Sequence, residues 1–315
     1  MSKIAILIPC YNEEKTVSQV VHDFKAQLPG ADIYVYDNNS GDRTSELAHN
    51  AGAIVRREWQ QGKGNVVRSM FSQIDADIYV MVDGDSTYPA ERVHDLISPI
   101  ITGQADMVNG SRLHAGSESN FRRLNLFGNR IFIRLFNVVF HVQLTDLLSG
   151  YRAFNRKIVK GLPLLSRGFE IETELTMKAI QGDFKVIEVP VSLVARPEGS
   201  FSKIKIIRDG ILILSTLFSL LRDYKPLTVF GFFGGCIASL GLIPGIMVLQ
   251  ESMLTGSIHS VPLAILAVGL VLSGLLIIIA GLVLHAIARR FQENERKLHN
   301  IMGELLKSRH LGPGQ

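Results

Sequence analysis

The sequence predicts an α/β domain with a largely parallel sheet, followed by an amphipathic helix and two membrane-spanning helices. Up to about residue 195, short apolar runs alternate with segments of helical periodicity, which is typical of α/β folds. Two long uncharged stretches follow in the last third of the chain. The 315 residues are 47% hydrophobic, which is high for a soluble chain of this length, so we expect a membrane-associated protein.

The strands and helices of the predicted α/β domain follow one another in regular order. The predicted strands are KIAILIP, ADIYVYD, AIVRR and ADIYVMVD. The segment EEKTVSQVVHDFKAQL is predicted as a helix, because Val17, Val20, Val21 and Phe24 recur at helical spacing. DRTSELAHNAG, closed by Gly52, and GNVVRSMFSQI are the next two predicted helices.

Three of these strands end in polar clusters, PCYNEE, DNNSGD and DGDSTYP. Ligands of open α/β sheets bind beyond the carboxyl ends of the strands, so we expect the clusters to converge on one crevice. No G-x-G-x-x-G follows the first strand, and QGKGN lacks the upstream glycine and the Ser/Thr of a P-loop. The sequence therefore argues against dinucleotide binding and against Walker-type hydrolysis.

Asp83 and Asp85 follow the apolar run DIYVMV with one glycine between them. If the chain stays extended there, alternate side chains point to the same side. Two carboxylates on one side suit Mg²⁺ or Mn²⁺, which in turn bridge the oxygens of a diphosphate. The alternative is a turn with solvated acids. The position of the two acids directly after a buried strand argues against this alternative.

Residues Pro226 to Leu249 and Val261 to Ala288 carry no Asp, Glu, Lys or Arg, and each stretch exceeds the roughly 20 residues that cross a bilayer core. The connecting loop has no Lys or Arg, whereas the outer ends carry Arg222, Lys225, Arg289, Arg290, Arg296 and Lys297. By the positive-inside rule, both termini and the α/β domain are cytoplasmic. Small residues allow the helix backbones to approach closely: Gly231, Gly234, Gly235, Gly241, Gly245, Gly269 and Ser273.

The segment between the domain and the membrane has helical apolar spacing and a basic front end. Its apolar positions are Ile204, Ile207, Ile211, Leu214, Leu217, Phe218 and Leu221, and its cations are Lys203, Lys205 and Arg208. We expect an amphipathic helix in the membrane interface, with packing against the domain as the alternative. The predicted organisation is an α/β domain over 1–200, this helix over 201–225, two membrane helices over 226–288 and a cytoplasmic tail over 289–315.

Seven ordered motifs, IPCYNEE, DNNSGDRT, QGKGNVV, VDGDSTYP, NGSR, TDLLSGYRAF and GSFSK, precede the two apolar segments. In this order they resemble the polyprenyl-phosphate glycosyltransferases of glycosyltransferase family 2, a group that includes dolichyl-phosphate mannose synthases and bacterial undecaprenyl-phosphate transferases. The resemblance implies a Rossmann-like GT-A fold, a nucleotide-sugar donor, a divalent metal (Mg²⁺ or Mn²⁺) and a lipid phosphate acceptor. It is also compatible with a homo-oligomer such as a tetramer.

On the donor side, the resemblance implies that the first two clusters and the QGKGN turn hold the nucleotide. The implied donor-binding residues are Pro9, Tyr11, Asn12, Glu13, Asp37, Gly62, Lys63, Asp83 and Gly84. For Gly62 and Lys63 a simple turn with a solvated lysine is the alternative. Asp83 and Asp85 match the metal pair, with Asp85 also counted as catalytic. Thr87 stands where relatives place a Gln that completes the metal shell, so water is the alternative ligand there.

On the acceptor side, the resemblance implies basic residues around the lipid phosphate. These are Arg112, Arg122, Arg123, Arg152 and Arg196, with Ser200 and Lys203. Arginine binds phosphate with two parallel hydrogen bonds. Asp146 matches the residue that the family proposes as catalytic base, and orientation of the acceptor or of Arg152 is an equal candidate. In FEIETELTMKAI we expect at most one of Glu170, Glu172 and Glu174 to contact the sugar, and we expect the others to be solvated.

The expected reaction is inverting transfer of a hexose-type sugar to undecaprenyl phosphate at the bacterial inner membrane, with UDP expected in preference to GDP. No basic tract points to nucleic acid. One alternative is a processive polysaccharide synthase, disfavoured by only two membrane segments and no Q-x-x-R-W motif. Another is a nonenzymatic nucleotide-sugar-binding subunit, disfavoured by the intact Asp83, Asp85 and Asp146. No residue decides between the sugars.

Overall fold

The structure is a computed structural model, and it describes residues 2–112, 123–194, 225–257 and 259–310, with Ser215, Phe218, Ser219, Leu221 and Arg222. Its strands are β1 Ile4–Cys10, β2 Asp32–Asp37, β3 Ile54–Arg57, β4 Ile78–Met81, β5 Met107–Ser111, β6 Arg152–Asn155 and β7 Val186–Pro190. Its helices are α1 Val17–Gln27, α2 Thr44–Asn50, α3 Lys63–Gln73, α4 Val93–Ile101, α5 Arg123–Phe140, α6 Arg156–Gly161, α7 Ile171–Gln181, α8 Pro226–Thr255 and α9 Val261–His310. The alternation predicted from the sequence over the first 80 residues is confirmed.

The seven strands form one mixed sheet in the order β3-β2-β1-β4-β6-β5-β7. Neighbours β2, β1 and β4 are parallel, so the ends of three strands with polar clusters lie side by side at one edge. Only β6 runs antiparallel to its neighbours β4 and β5. The expected convergence of the three clusters is therefore confirmed, and β6 brings its own N-terminal end to the same edge.

The core lies on both faces of the sheet because side chains of a strand alternate between the faces. On one face, Ile6 and Ile8 of β1 pack with Val17 and Phe24 of α1. On the other face, residues such as Leu7 pack with α3, α6 and α7. All four apolar positions that predicted α1 are buried, which confirms that helix and the face it presents.

The acidic residues at the start of α7 were expected to be solvated, and this expectation is wrong. Glu170, Glu172 and Glu174 are all buried, at 8%, 5% and 1% exposure. Glu174 pairs with Lys178 at 2.8 Å and accepts from the backbone N–H groups of Leu165 and Ser166. Helical periodicity alone missed this, because the loop before α7 offers backbone N–H groups and the carboxylates find cations in Lys178 of α7 and Lys63 of α3.

Helix α8 and the Val261–Phe291 portion of α9 are long and apolar enough to cross a membrane, by length and composition. They pack closely at glycines: a Cβ added to Gly234 would lie 2.6 Å from the carbonyl oxygen of Gly274. Gly241 also makes close contact, whereas Gly231, Gly235 and Gly269 face open space. Helix α9 continues to His310 through the predicted tail. Most of the predicted amphipathic helix lies outside the described residues.

Candidate active site

Hydrogen bonds join the loops that follow β1 and β2 into one unit. The backbone N–H of Asn38 donates to the carbonyl of Cys10 at 2.9 Å. The N–H of Asn12 donates to Ser40 Oγ at 2.9 Å, and the N–H of Gly41 donates to Asn12 Oδ1 at 2.8 Å. Asn12 and Asn39 have φ of 52° and 61°, a left-handed conformation that Asn adopts more readily than most residues. The polar clusters therefore form a fixed rim.

The rim residues that we expect on the donor side differ in their exposure to solvent. Tyr11 is 40% exposed, and Pro9 lies inside β1. The N–H of Glu13 donates to Thr44 Oγ1 at 2.8 Å. Asp37 is almost fully buried: its Oδ1 accepts from the N–H of Ser40 at 3.1 Å, and its Oδ2 accepts from Ser45 Oγ at 2.9 Å. A nucleoside contact by Asp37 would add to these bonds.

Gly62 begins the turn that carries Lys63 into the crevice. Its N–H donates to Asn38 Oδ1 at 2.7 Å, and Asn38 Nδ2 donates in turn to the carbonyls of Glu58 and Gln60. Gly62 has φ of 132°, and an added Cβ would lie 2.2 Å from the carbonyl oxygen of Arg167. This position therefore requires glycine both for its backbone conformation and for its packing.

Lys63 is buried and bridges two carboxylates. Its Nζ lies 2.5 Å from Asp83 Oδ1 and 2.5 Å from Glu172 Oε1. Burial alone lowers the pKa of Lys63, but the charges of Asp83 and Glu172 reverse this, and the net pKa is raised. The lysine is therefore a fixed cation inside the site, which rules out the alternative of a solvated lysine on a simple turn.

Strand β4 ends at Met81, and the chain turns at Gly84 and Asp85. The expectation of an extended chain from Asp83 to Asp85 is therefore wrong. Both the N–H and the hydroxyl of Thr87 donate to Asp85 Oδ1, at 3.1 and 2.6 Å. Thr87 thus orients Asp85.

Two glycines make room for the turn that carries the acids. A Cβ on Gly84 would lie 2.5 Å from Cys10 Sγ, so packing against β1 explains this glycine. A Cβ on Gly150 would lie 2.3 Å from Asp83 Oδ2. Gly150 therefore forms a wall against which the Asp83 carboxylate rests, a role that no sequence motif had assigned to it.

The donor set at Asp83 and Asp85 fits a divalent cation of the magnesium type. Such ions bind through one or two carboxylates and complete their shell with water and substrate phosphates. Among the described residues, no group of three or more His, Cys, Asp or Glu is arranged to hold a metal by itself. The Asp83 side chain is 29% exposed, so solvent reaches this carboxylate.

On the other side of the crevice, Asp146 is completely buried and binds Arg112. Its Oδ2 accepts from the N–H and Nε of Arg112, and its Oδ1 accepts from Nη2. Burial alone raises the pKa of Asp146, but the Arg112 guanidinium and the N–H of Leu148 outweigh it, so the pKa is lowered. A carboxylate with a lowered pKa and these bonds suits orientation of Arg112 better than proton abstraction.

Arg152 was expected to bind the lipid phosphate, and the structure contradicts this expectation. It is completely buried, and its guanidinium donates to the carbonyls of Leu147 and Ser149 and to Thr176 Oγ1. A guanidinium held this way supports the loop from inside and does not reach a lipid phosphate. Asp146 pairs with Arg112, so the alternative that Asp146 orients Arg152 is also wrong. Arg122, Arg196, Ser200 and Lys203 lie outside the described residues, and the side chain of Arg123 does too.

The segment 146–150 joins the two sides of the crevice. Asp146 holds Arg112, and Gly150 packs on Asp83 while its N–H donates to Tyr88 Oη at 3.0 Å. Burial is the main cause that raises the pKa of Tyr88 to about 12. The charge of Arg112 lowers this pKa, and the charge of Asp83 raises it. Asp83 and Arg112 therefore both lie close enough to Tyr88 for their charges to act on its hydroxyl.

Glu188 of β7 binds the N-terminal end of segment 146–150. Its Oε2 accepts from the N–H of Thr145 at 2.7 Å, and its Oε1 accepts from the N–H of Asp146 at 3.0 Å. Sequence reasoning missed Glu188, Tyr88 and Gly150, and it left Glu172 among three equivalent acids. Only the quoted motifs SGYR and DSTYP gave a signal, because Gly150 and Tyr88 are part of them.

Comparisons with known proteins agree on one family and fold. The sequence profile described as Glycosyl transferase family 2 matches residues 5–162. Glycosyltransferase AglJ of Haloferax volcanii is 33% identical over 299 residues, which cover 95% of this chain and 98% of that protein. The dolichol-phosphate mannosyltransferase of Pyrococcus furiosus is 29% identical over 213 residues, covering 64% of this chain and 59% of that protein.

Among solved structures, the glucosyl-3-phosphoglycerate synthase of Mycobacterium tuberculosis, crystallised with Mn²⁺, UDP-glucose and phosphoglyceric acid, is similar with a TM-score of 0.56. The two are 21% identical, and the likeness covers 69% of this chain and 79% of that one. The mixed seven-stranded sheet and this likeness confirm the predicted GT-A-like fold.

Proposed function

Because the chain belongs to glycosyltransferase family 2, we propose that it transfers a hexose-type sugar from a nucleotide-sugar donor to a polyprenyl phosphate, with inversion at the anomeric carbon. The donor we propose is a UDP-sugar, and the acceptor is undecaprenyl phosphate in the bacterial inner membrane. The relatives named for dolichol-phosphate transfer support the acceptor class. The two apolar helices support a membrane-bound acceptor.

One observation carries the proposal: a single buried segment, 146–150, contacts both Asp83 of the acid pair and a fixed arginine. Asp83 and Asp85 offer anionic ligands on the donor side, and Arg112 offers a cation on the other side. A transferase that joins a diphosphate leaving group and a phosphate nucleophile needs this pairing of charges. The nonenzymatic alternative gives no reason for Asp146 to fix Arg112.

The acceptor needs binding and orientation more than it needs a base. A phosphate monoester has a second pKa of about 6 and is largely dianionic at pH 7. Nε and Nη2 of Arg112 bind Asp146. We propose that the rest of this guanidinium holds the phosphate, so that one phosphate oxygen faces the anomeric carbon. That oxygen forms the new bond as the bond to the nucleoside diphosphate breaks, which inverts the configuration.

On the donor side, we propose that Asp83 and Asp85 hold Mg²⁺ or Mn²⁺, with water or Thr87 as a further ligand. When bound, such a cation stabilises the negative charge of the departing diphosphate. Pro9, Tyr11, Asn12, Glu13 and Asp37 form the rim proposed for the nucleoside. Gly62, Lys63 and Gly84 line the floor near the diphosphate.

The membrane arrangement we propose places the α/β domain and both termini on the cytoplasmic side. Lys and Arg flank the outer ends of the two apolar segments, 226–249 and 261–288, and the loop between the helices has none. Arg122, Arg123, Arg196, Ser200 and Lys203 remain proposed acceptor-side residues. A homo-oligomer such as a tetramer remains part of the proposal as well.

The test is a donor panel with the full-length chain in detergent or lipid. UDP-glucose, a UDP-N-acetylhexosamine, a UDP-aminoarabinose and GDP-mannose are each incubated with Mn²⁺, with and without undecaprenyl phosphate. We expect nucleotide release that depends on the lipid, and a lipid product one sugar heavier by mass spectrometry. Polymer formation would support the processive alternative, and binding of donor without turnover would support the nonenzymatic one.

A further inference from the structure

The three charged side chains Lys63, Asp83 and Glu172 differ in their access to the crevice. The side chains of Lys63 and Glu172 are only 8% and 6% exposed, whereas Asp83 is 29% exposed. The contact between Lys63 and Glu172 is therefore the inner one. The contact between Lys63 and Asp83 is the outer one, beside the ligand space.

The outer contact uses the same carboxylate that the proposed metal site needs. Lys63 Nζ lies 2.5 Å from Asp83 Oδ1, and the backbone of Gly150 rests against the carboxylate near Oδ2. A divalent cation on Asp83 would meet the charge of Lys63 at close range, and two cations repel each other strongly where water is excluded. The lysine and the metal therefore compete for Asp83.

We infer that Glu172 is a positioning residue that retains Lys63 when a divalent cation takes Asp83. This inference rests on the proposed metal role of Asp83 and Asp85. With Glu172 in place, Lys63 keeps a carboxylate partner after it gives up Asp83, so its charge is never left unpaired in the protein interior. Its remaining N–H donors then face the crevice, where the diphosphate of a donor would bind.

The roles of the two residues predict opposite effects on metal binding. Glu172→Gln leaves Lys63 with Asp83 as its one charged partner, so the metal must displace a more tightly held lysine. We expect the apparent dissociation constant for Mn²⁺ to rise about tenfold, the loss that one charge-assisted hydrogen bond accounts for. Lys63→Met removes the competitor, and we expect Mn²⁺ alone to bind at least threefold more tightly.

A matched control lies on the same helix. Glu174 and Lys178 form a buried ion pair at 2.8 Å, with 1% and 5% of the side chains exposed, and this pair makes no described contact with Asp83 or Asp85. Glu174→Gln therefore removes a buried acid of the same helix without changing the charge on Asp83. We expect a lower unfolding temperature and unchanged Mn²⁺ affinity.

The experiment titrates Mn²⁺ into the full-length protein and follows free Mn²⁺ by electron paramagnetic resonance, with no donor or lipid present. UDP binding is measured separately through the fluorescence of Trp59, the single tryptophan of the chain. We expect Lys63→Met to tighten Mn²⁺ and to weaken UDP, a pair of opposite signs that a general loss of structure does not produce.

The double variant Glu172→Gln/Lys63→Met decides whether Glu172 acts through Lys63. If it does, the double variant binds Mn²⁺ within twofold of Lys63→Met alone. An equal tenfold loss in both backgrounds would overturn the inference, because Glu172 would then act by its own charge. Unchanged or weaker Mn²⁺ binding by Lys63→Met would overturn it too. Because no sugar or lipid is used, failure of the proposed transfer reaction would show separately, in the donor panel.

Discussion

The guanidinium of Arg112 donates two hydrogen bonds to the buried carboxylate of Asp146, with Nε 2.8 Å from Oδ2 and Nη2 3.0 Å from Oδ1. A bidentate pair of this kind fixes both the position and the orientation of the arginine. One edge of the guanidinium is thereby used inside the protein. This fixed geometry supports the proposal that Arg112 receives an anion from the crevice.

The first prediction concerns the acid stability that this pair gives. The pKa of Asp146 in the folded chain is below its ordinary value of 3.8, so its charge stabilises the fold above that pH. The contribution is lost as the pH falls through the lowered pKa. We expect Asp146→Asn to lower the unfolding temperature at pH 7, and the difference from wild type to shrink below pH 3.8. A difference that does not change with pH would contradict the charged pair.

The second prediction separates orientation from base catalysis at Asp146. If the residue orients Arg112, Asp146→Asn raises the KM for lipid phosphate but keeps the acid limb of the rate profile. That limb follows the acceptor phosphate, whose second pKa is about 6. Steady-state rates between pH 5 and about 8 provide the measurement. Loss of the limb in Asp146→Asn would assign the proton transfer to this carboxylate.

The third prediction compares two arginines of the acceptor-side motifs. Arg112→Lys keeps the charge but loses the bidentate geometry, so we expect a KM for lipid phosphate about tenfold to a hundredfold higher. Arg152→Lys should instead lower stability, because three internal acceptors lose their donors. Nucleotide titrations of both variants serve as the control. Weakened nucleotide binding with unchanged acceptor kinetics in Arg112→Lys would move this residue to the donor side.

The fourth prediction addresses the acid pair. Asp85→Ala, and nearly as strongly Asp83→Ala, should abolish transfer with the fold intact, because the diphosphate charge loses its metal. Asp75→Asn is the control, since Asp75 is exposed and paired with Arg156 away from the crevice. Transfer rates and circular dichroism spectra are compared at saturating donor. Retention of more than about a tenth of wild-type turnover in either alanine variant would refute the assignment.

The fifth prediction tests the glycine wall behind Asp83. Gly150→Ala places a methyl group 2.3 Å from Asp83 Oδ2, so the carboxylate must shift. We expect Mn²⁺ affinity and transfer to fall at least tenfold, with a smaller change in unfolding temperature. Gly30→Ala is the control, because a Cβ there has open space around it. Equal behaviour of the two variants would mean that the position of Asp83 tolerates this shift.

Secondary-structure elements and tertiary contacts were predictable from the sequence to different degrees. Strand and helix positions of the first half were predicted because they depend on local periodicity, as in the buried face of α1. The convergence of three polar clusters was also predicted, since it needs only parallel strands. The turn at Gly84 and Asp85 was not predicted, because a D-G-D sequence suits an extended chain and a turn equally well.

The sequence by itself determined the fold class, the family and the residue types that meet at the crevice, because apolar periodicity and motif order are local properties of the chain. The tertiary structure alone decided which charges pair. Lys63 lies with Glu172, 109 positions away, and Asp146 lies with Arg112 and not with Arg152. The physical reason is that a buried charge takes the partner that packing brings within hydrogen-bond reach, and no local pattern encodes that distance.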